Sequence, residues 1–177
     1  MQNNIILIPT KIEAELVSLK QGLFISGIAK KTVKTLKSIH EKKPVSKAVL
    51  IGFAGRLDDR LKMDCTYNVT DVTNGEHSLG LSAIIKKWES TSSITVTNPI
   101  YTVNKKLELS KIASLVDMED LYFAEYCLCN DITPYIIRIV SDNCDKKIVN
   151  FFIPGTFRKA KNELAKVVRT IGPLLSL

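Results

Sequence analysis

The amino-acid sequence predicts an α/β fold: a mixed, mostly parallel twisted sheet flanked by helices, in a single domain spanning residues 1–177. Three observations predict it. Ala48 to Gly52 is a continuous apolar run, the pattern of a parallel strand buried on both faces, and Tyr135 to Val140, apolar but for Arg138, reads as a second long buried strand. Strand-like runs alternate with helix-like periodicity along the chain. The 177 residues, 45% hydrophobic and 24% charged, are enough for one sizeable core.

In chain order, Ile5 to Pro9 reads as a short buried strand. Thr10 follows as a helix N-cap, with Glu13 three residues on completing a capping box, and Ile12, Leu16 and Leu19 continue at helical spacing. Leu23 to Ser26 is a second short apolar run, ended by Gly27. Lys31 to Glu41 carries Val33, Leu36 and Ile39 on one side of a helix that Pro44 breaks. Cys65 to Thr73 is rich in β-branched residues and reads as a strand, and Asn74-Gly75 marks a turn. Ser78 to Glu89 is expected as a helix and Ile94 to Thr97 as a short strand before Pro99. Asp117 to Cys129 reads as a helix, and Thr156 to Thr170 as a C-terminal amphipathic helix.

Composition narrows the function classes. Lys plus Arg is 25 and Asp plus Glu is 18, a formal charge of +7. The basic residues are scattered pairs such as Lys42-Lys43 and Lys105-Lys106, with no basic stripe or aromatic interleaving, so no nucleic-acid partner is expected. A basic field still favours an anionic ligand. The cysteines (Cys65, Cys127, Cys129, Cys144) and the two histidines do not form a zinc-ligand pattern. The start of the sequence has no basic leader and only Ile5 to Ile8 as an apolar run, so no signal peptide and no membrane span are expected. A cytoplasmic protein with reduced thiols, and no metal or organic cofactor, is the expectation that follows.

Two acidic segments stand out: Val116-Asp117-Met118-Glu119 and Arg138-Ile139-Val140-Ser141-Asp142. The second ends a buried strand, and α/β sheets bind ligands beyond the carboxyl ends of their strands. Asp117-Met118-Glu119 resembles a V-D/E-M-E segment of the nucleoside phosphorylase/nucleosidase superfamily, and Arg138 to Asp142 resembles its R-x-I/V-S-D segment. Gly52-Phe53-Ala54-Gly55 is similar to its G-x-A-G turn and Ser26-Gly27-Ile28-Ala29-Lys30 to its S-G-I-G-K turn. Ile5 to Ile8 followed by Glu13-Ala14-Glu15 resembles its first strand and the helix bearing its catalytic glutamate. All five occur in family order and cover most of the chain. The branch most similar is that of the methylthioadenosine/adenosylhomocysteine nucleosidases and futalosine hydrolases.

The resemblance implies hydrolysis of a purine nucleoside to free base and sugar. Such a reaction needs an acid at the base, a carboxylate gripping the sugar hydroxyls and an activated water at C1′. Carried over residue by residue, Asp142 would donate the proton, helped by Ser141, and Glu119 would bind the ribose hydroxyls. Met118 would pack on the sugar, Arg138 would orient the water and acidic groups, and Tyr101 would stack on the base. Glu15 would activate the water. Glu13 is its rival two residues away, with a structural role at the capping box.

Phosphorolytic members carry arginines near the first loop and before the G-x-A-G-like turn. Here Pro9-Thr10-Lys11-Ile12 and Val49-Leu50-Ile51 have none, and Arg56 is the nearest, so water is the expected acceptor. The chain departs from the pattern at Phe53, where adenosine-type members have serine, and at Ala29, which replaces a glycine. It is also shorter than typical members, between Leu19 and Leu23 and between Val72 and Ile94. The expected substrate is a methylthioadenosine- or adenosylhomocysteine-like nucleoside, and the family precedent is a homodimer. The alternatives are a futalosine hydrolase, a phosphate-dependent phosphorylase, and a nucleoside-binding protein impaired in catalysis.

Overall fold

In the computed structural model, which describes residues 3–18, 22–145 and 157–177, successive residues of the central strands face opposite cores. The strands are β1 (Asn4–Ile8), β2 (Leu23–Ile25), β3 (Lys47–Arg56), β4 (Thr66–Thr73), β5 (Ser78–Gly80), β6 (Ser90–Thr95), β7 (Leu115–Asp117) and β8 (Thr133–Asp142). The helices are α1 (Lys30–Lys42), α2 (Val103–Leu109), α3 (Asp120–Cys129) and α4 (Arg158–Ile171). Ile5 and Leu7 of β1, Leu50 and Ala54 of β3, and Ile136 and Val140 of β8 share one core with Leu36 of α1 and Phe123 of α3. Their neighbours Ile6, Ile8, Val49, Ile51, Ile137 and Ile139 pack with Leu164, Val167 and Ile171 of α4 on the other face. This is the period-two alternation of a strand feeding two cores at once, and it is why these runs are apolar on both sides, with Arg138 the charged exception in β8.

The pairings are mixed and mostly parallel. β1 pairs β2 and β3, β3 pairs β8, β4 pairs β6 and β6 pairs β7, all in parallel. The antiparallel pairs are β3 with β7, β4 with β5 and β4 with β8. The expected sheet thus has one further property. β3, β7, β6, β4 and β8 close on themselves in a five-stranded barrel-like ring, with β1–β2 and β5 as extensions. Closure is possible because the ten-residue β3 pairs β8 along its length and turns at its end onto β7. At that turn the β3–β8 register slips: Ala54 faces Val140 but Gly55 faces Asp142. Ser141 is the extra residue, a bulge of the kind that re-aims side chains beside functional sites.

Three expectations are corrected. Ser78 to Glu89 is not helical: β5 runs back along β4 from the Asn74-Gly75 turn, and the chain then crosses irregularly to β6. The segment after Thr10 is a single 3-10 turn, Glu13–Leu16, rather than a longer helix, and Leu19 lies outside the described residues. Asp117 closes β7 instead of opening a helix, and α3 begins at Asp120. Helix α2 was not predicted; Thr102 caps it by accepting from the Lys105 N–H at 3.4 Å. No helix among the described residues is long and apolar enough to cross a membrane.

Candidate active site

One cleft collects most of the carboxylates singled out in the sequence. It holds about 710 Å³, part of it open to bulk water, and lies where β1, β3, β7 and β8 end. Glu13, Asp117, Glu119 and Asp142 line it, with Met118, Ser141, Phe53 and Tyr101, and among the described residues no lysine or arginine does so. Of the expected site residues, only Glu15 and Arg138 are not on its wall.

Glu15 lies elsewhere. Its half-exposed carboxylate forms an ion pair with the buried Lys161 of α4. Glu15, expected to activate the water, is thus not in the cleft lining: the 3-10 turn points Glu13 into the cleft and Glu15 towards α4. In a short turn, positions two apart lie on different sides, so only one of the two glutamates can face inward. The expected capping box is not formed, because the 3-10 turn opens at Glu13 behind Ile12 with no side-chain cap; Thr10 and Glu13 are bonded all the same, the Glu13 N–H donating to Thr10 Oγ1 at 3.1 Å and Thr10 Oγ1–H to Glu13 Oε2 at 2.8 Å. Glu13 Oε1 accepts from the Phe53 N–H at 2.7 Å. Burial pushes the Glu13 carboxyl up to about 7, against the opposing pull of the Phe53 and Thr10 hydrogen bonds. A carboxylate poised there is suited to general-base work.

Arg138 is the hub beneath the floor. Period two along β8 puts it on the same side as Ile136 and Val140, where it is completely buried against α3. Its Nη2 donates to Asp117 Oδ2 at 2.6 Å, Glu119 Oε2 at 3.0 Å and Asp120 Oδ1 at 2.7 Å; its Nε also donates to Asp120 Oδ1. Burial works against the guanidinium charge, but the carboxylates of Asp120, Asp117 and Glu119 outweigh it and hold Arg138 protonated. Three carboxylates share one cation. Burial, followed by repulsion from Asp120, pushes the Asp117 carboxyl up. Further donors reduce the strain: Thr95 Oγ1–H and the Glu119 and Asp120 N–H groups serve Asp117, and Ser93 Oγ–H serves Asp120. The buried Asp120 and the Thr95–Asp117 bond were not anticipated. Asp120 directly follows the V-D-M-E segment, so its place in the sequence offered a signal.

Arg138 Nη1 donates to the Phe53 carbonyl at 3.2 Å, while the Phe53 N–H serves Glu13. A Cβ at Gly52 would come within 2.5 Å of Arg138 Nη1 and 3.0 Å of Glu13 Oε1, so the G-F-A-G turn needs its first glycine to admit both groups. Glu119 Oε1 accepts from the Ala29 N–H at 3.0 Å. Ala29 makes that bond from φ +54°, ψ −134°, a conformation that costs a side-chain-bearing residue strain.

At the far wall, Asp142 Oδ2 lies 2.8 Å from Ser141 Oγ, and Oδ1 accepts from the Cys144 N–H at 3.0 Å. Tyr101 is 40% exposed at the rim beside Ile100 and Pro99. The Phe53 ring packs 6.0 Å from that of Phe157. Arg56 is held away from the cleft by Asn143 Oδ1 at 2.6 Å and the Leu61 carbonyl at 2.6 Å.

No family model and no curated protein matches the chain. Solved structures do. A Helicobacter pylori 5′-methylthioadenosine/S-adenosylhomocysteine nucleosidase with butyl-thio-DADMe-Immucillin-A superposes with a TM-score of 0.83 at 19% identity, over 99% of each chain. Helicobacter pylori futalosine hydrolase gives 0.82 at 18%, over 98% of each. A Chlamydia trachomatis MTAN bound to MTA gives 0.76 at 16%, over 99% of this chain and 100% of that one. This chain has the same fold as these solved nucleosidase and futalosine hydrolase structures, over nearly its whole length.

Proposed function

We propose that the protein is a purine nucleosidase that hydrolyses the N-glycosidic bond of a methylthioadenosine- or adenosylhomocysteine-like nucleoside. The observation that carries this reading is that one cleft is lined by both Glu13, a buried carboxyl raised to about 7, and Asp142. Glu13 activates the water. Asp142 donates a proton to the purine as the bond breaks. Glu119 accepts from the ribose hydroxyls, Met118 packs on the sugar, and Tyr101 and Phe53 offer rings to the substrate. Arg138 is a positioning residue: it touches Glu119 and the Phe53 carbonyl and so fixes two walls of the site.

Hydrolysis is favoured over phosphorolysis by the lining. Among the described residues that line the cleft there are four carboxylates and no lysine or arginine, a lining that repels a phosphate dianion. Futalosine, a neighbour's substrate, is the second reading for the nucleoside, supported by Phe53 where a serine is usual. A homodimer goes with the proposal: Ile28 and Tyr101 at the cleft mouth and Val103 and Leu107 of α2 are large apolar side chains more than a third exposed. A cytoplasmic setting suits the four free thiols.

The test is Asp142→Asn assayed for base release from methylthioadenosine. Loss of a general acid lowers turnover roughly 10²- to 10⁴-fold with the fold intact. Near wild-type turnover would remove Asp142 from the reaction.

A further inference from the structure

Cys144 sits against the proposed acid in an arrangement built from two chain segments. Its Sγ donates to Asp142 Oδ1 at 3.4 Å, and its own N–H donates to the same oxygen at 3.0 Å. The residue is 3% exposed and lines the cleft. It reaches this position at φ +55°, a left-handed conformation that a cysteine rarely adopts. Across from it, Gly55 at the end of β3 leaves the thiol its space: a Cβ there would lie 2.0 Å from Sγ and 3.0 Å from Asp142 Oδ1. The bulge at Ser141 brings Gly55 and Asp142 into register. Unusual backbone, a missing side chain and a strand irregularity thus converge on one thiol–carboxylate contact.

We infer that Cys144 is a positioning residue for the reaction: its thiol and amide hold Asp142 Oδ1 as an acceptor, which leaves Oδ2 to carry the acid proton. The inference rests on the nucleosidase reading for its catalytic consequence, but the contact itself does not. An amide N–H cannot accept, and burial pushes the Cys144 thiol up, so it remains a donor. Oδ1 therefore faces two fixed donors. Oδ2 faces Ser141 Oγ, whose single hydrogen has a second acceptor in the Ala54 carbonyl at 3.3 Å. With Asp142 protonated, Oδ2–H donates to Ser141 Oγ and the serine hydrogen turns to Ala54. When the proton passes from Oδ2 to the purine nitrogen, the glycosidic bond pair goes to the base, and the serine hydrogen turns back to the new carboxylate. Among the described residues, the charged groups around this pair are Asp145 next in the chain, Lys106 of α2 paired with Asp59, Arg56 on Asn143, and Asp117 and Glu119 in the lining of the same cleft.

Two measurements on the full chain decide it. In the infrared spectrum of the substrate-free protein, recorded at a pH high enough to ionise Asp142, the Cys144 S–H band is identified as the one lost in Cys144→Ser; it moves to higher wavenumber in Asp142→Asn, because a neutral amide oxygen accepts more weakly than a carboxylate. With methylthioadenosine as substrate, Cys144→Ala lowers kcat about five-fold with KM little changed, and Cys144→Ser, which keeps a donor, restores most of it. A band at the same position in wild type and Asp142→Asn overturns the contact. Equal kcat in wild type and Cys144→Ala, or a Cys144→Ser variant of equal stability as slow as Cys144→Ala, overturns the role in the reaction. A wild-type protein that releases no base from any nucleoside overturns the nucleosidase reading instead, and the S–H band still decides whether Cys144 holds Asp142.

Discussion

Glu13 and Phe53 are joined across the head of the cleft: the Phe53 N–H donates to Glu13 Oε1 at 2.7 Å. The bond ties the turn after β1 to the G-F-A-G segment of β3. It points one carboxylate oxygen at the backbone and, with Thr10 on the other, fixes the side chain without any cation in direct contact. Burial on these terms is what raises the Glu13 carboxyl.

Exchanging the two glutamates separates their roles. Glu13→Gln should reduce turnover by roughly 10²- to 10⁴-fold, the range for a lost general base. Glu15→Gln should leave turnover within about two-fold and cost stability, because the buried Lys161 loses its carboxylate; with Glu15 half-exposed the cost is about 1 kcal/mol. Turnover numbers and thermal melts of both variants check this. An inactive Glu15→Gln that melts like wild type would restore Glu15 as the water activator.

The pH dependence follows from Glu13 with its sign fixed. The carboxyl titrates at 4.5 in the unfolded chain and at about 7 in the folded one, so the native state binds more protons between those values. The stability associated with the protonated group is full below pH 4.5, declines as pH rises, and is lost above about 7, on the order of 3 kcal/mol in all. Glu13→Gln should abolish this decline in urea melts taken across pH 4.5–7. Turnover runs the other way: the base works deprotonated, so the rate should rise through about pH 7. A wild type whose stability does not fall relative to Glu13→Gln over this window would contradict the burial of an acid here.

Ala29 stands where the family pattern has glycine, at φ +54°, ψ −134°. Such strain costs on the order of 1–3 kcal/mol, and glycine's greater unfolded-state freedom returns roughly 0.5–1. Ala29→Gly should therefore stabilise the protein by about 1 kcal/mol while keeping the N–H that serves Glu119. Calorimetric melts of the two proteins check it; a destabilised Ala29→Gly would mean that the alanine methyl packs favourably.

Legibility in the sequence followed the length of the signal. Val49 to Ile51 is apolar on both faces, and Ile136 to Val140 is so but for Arg138, because two cores claim them, so the central strands were plain. The acidic residues of the two motifs were legible from the motifs themselves, but their setting was not: Asp117 ends β7 and Glu119 precedes α3, both on Arg138, where a helix start was expected. The choice between Glu13 and Glu15 was open. The T-x-x-E spacing suggests a structural role for Glu13, yet the Thr10 hydroxyl it provides serves to hold the Glu13 carboxylate in the cleft. Ring closure left no local trace: it depends on β4 pairing β8 and on β7 meeting the end of β3, contacts between residues dozens of positions apart. The 78–89 segment failed as a helix because its apolar side chains, Leu79, Ile84, Ile85 and Trp88, are divided between the two cores.

The account stands most directly on the products formed from a nucleoside. Methylthioadenosine, adenosylhomocysteine and futalosine would each be incubated with the protein, with and without inorganic phosphate, and followed by proton NMR. The account predicts free base and free sugar from at least one of them, at a rate unaffected by phosphate. A sugar 1-phosphate, a rate rising in proportion to phosphate, or no base from any of the three would contradict it.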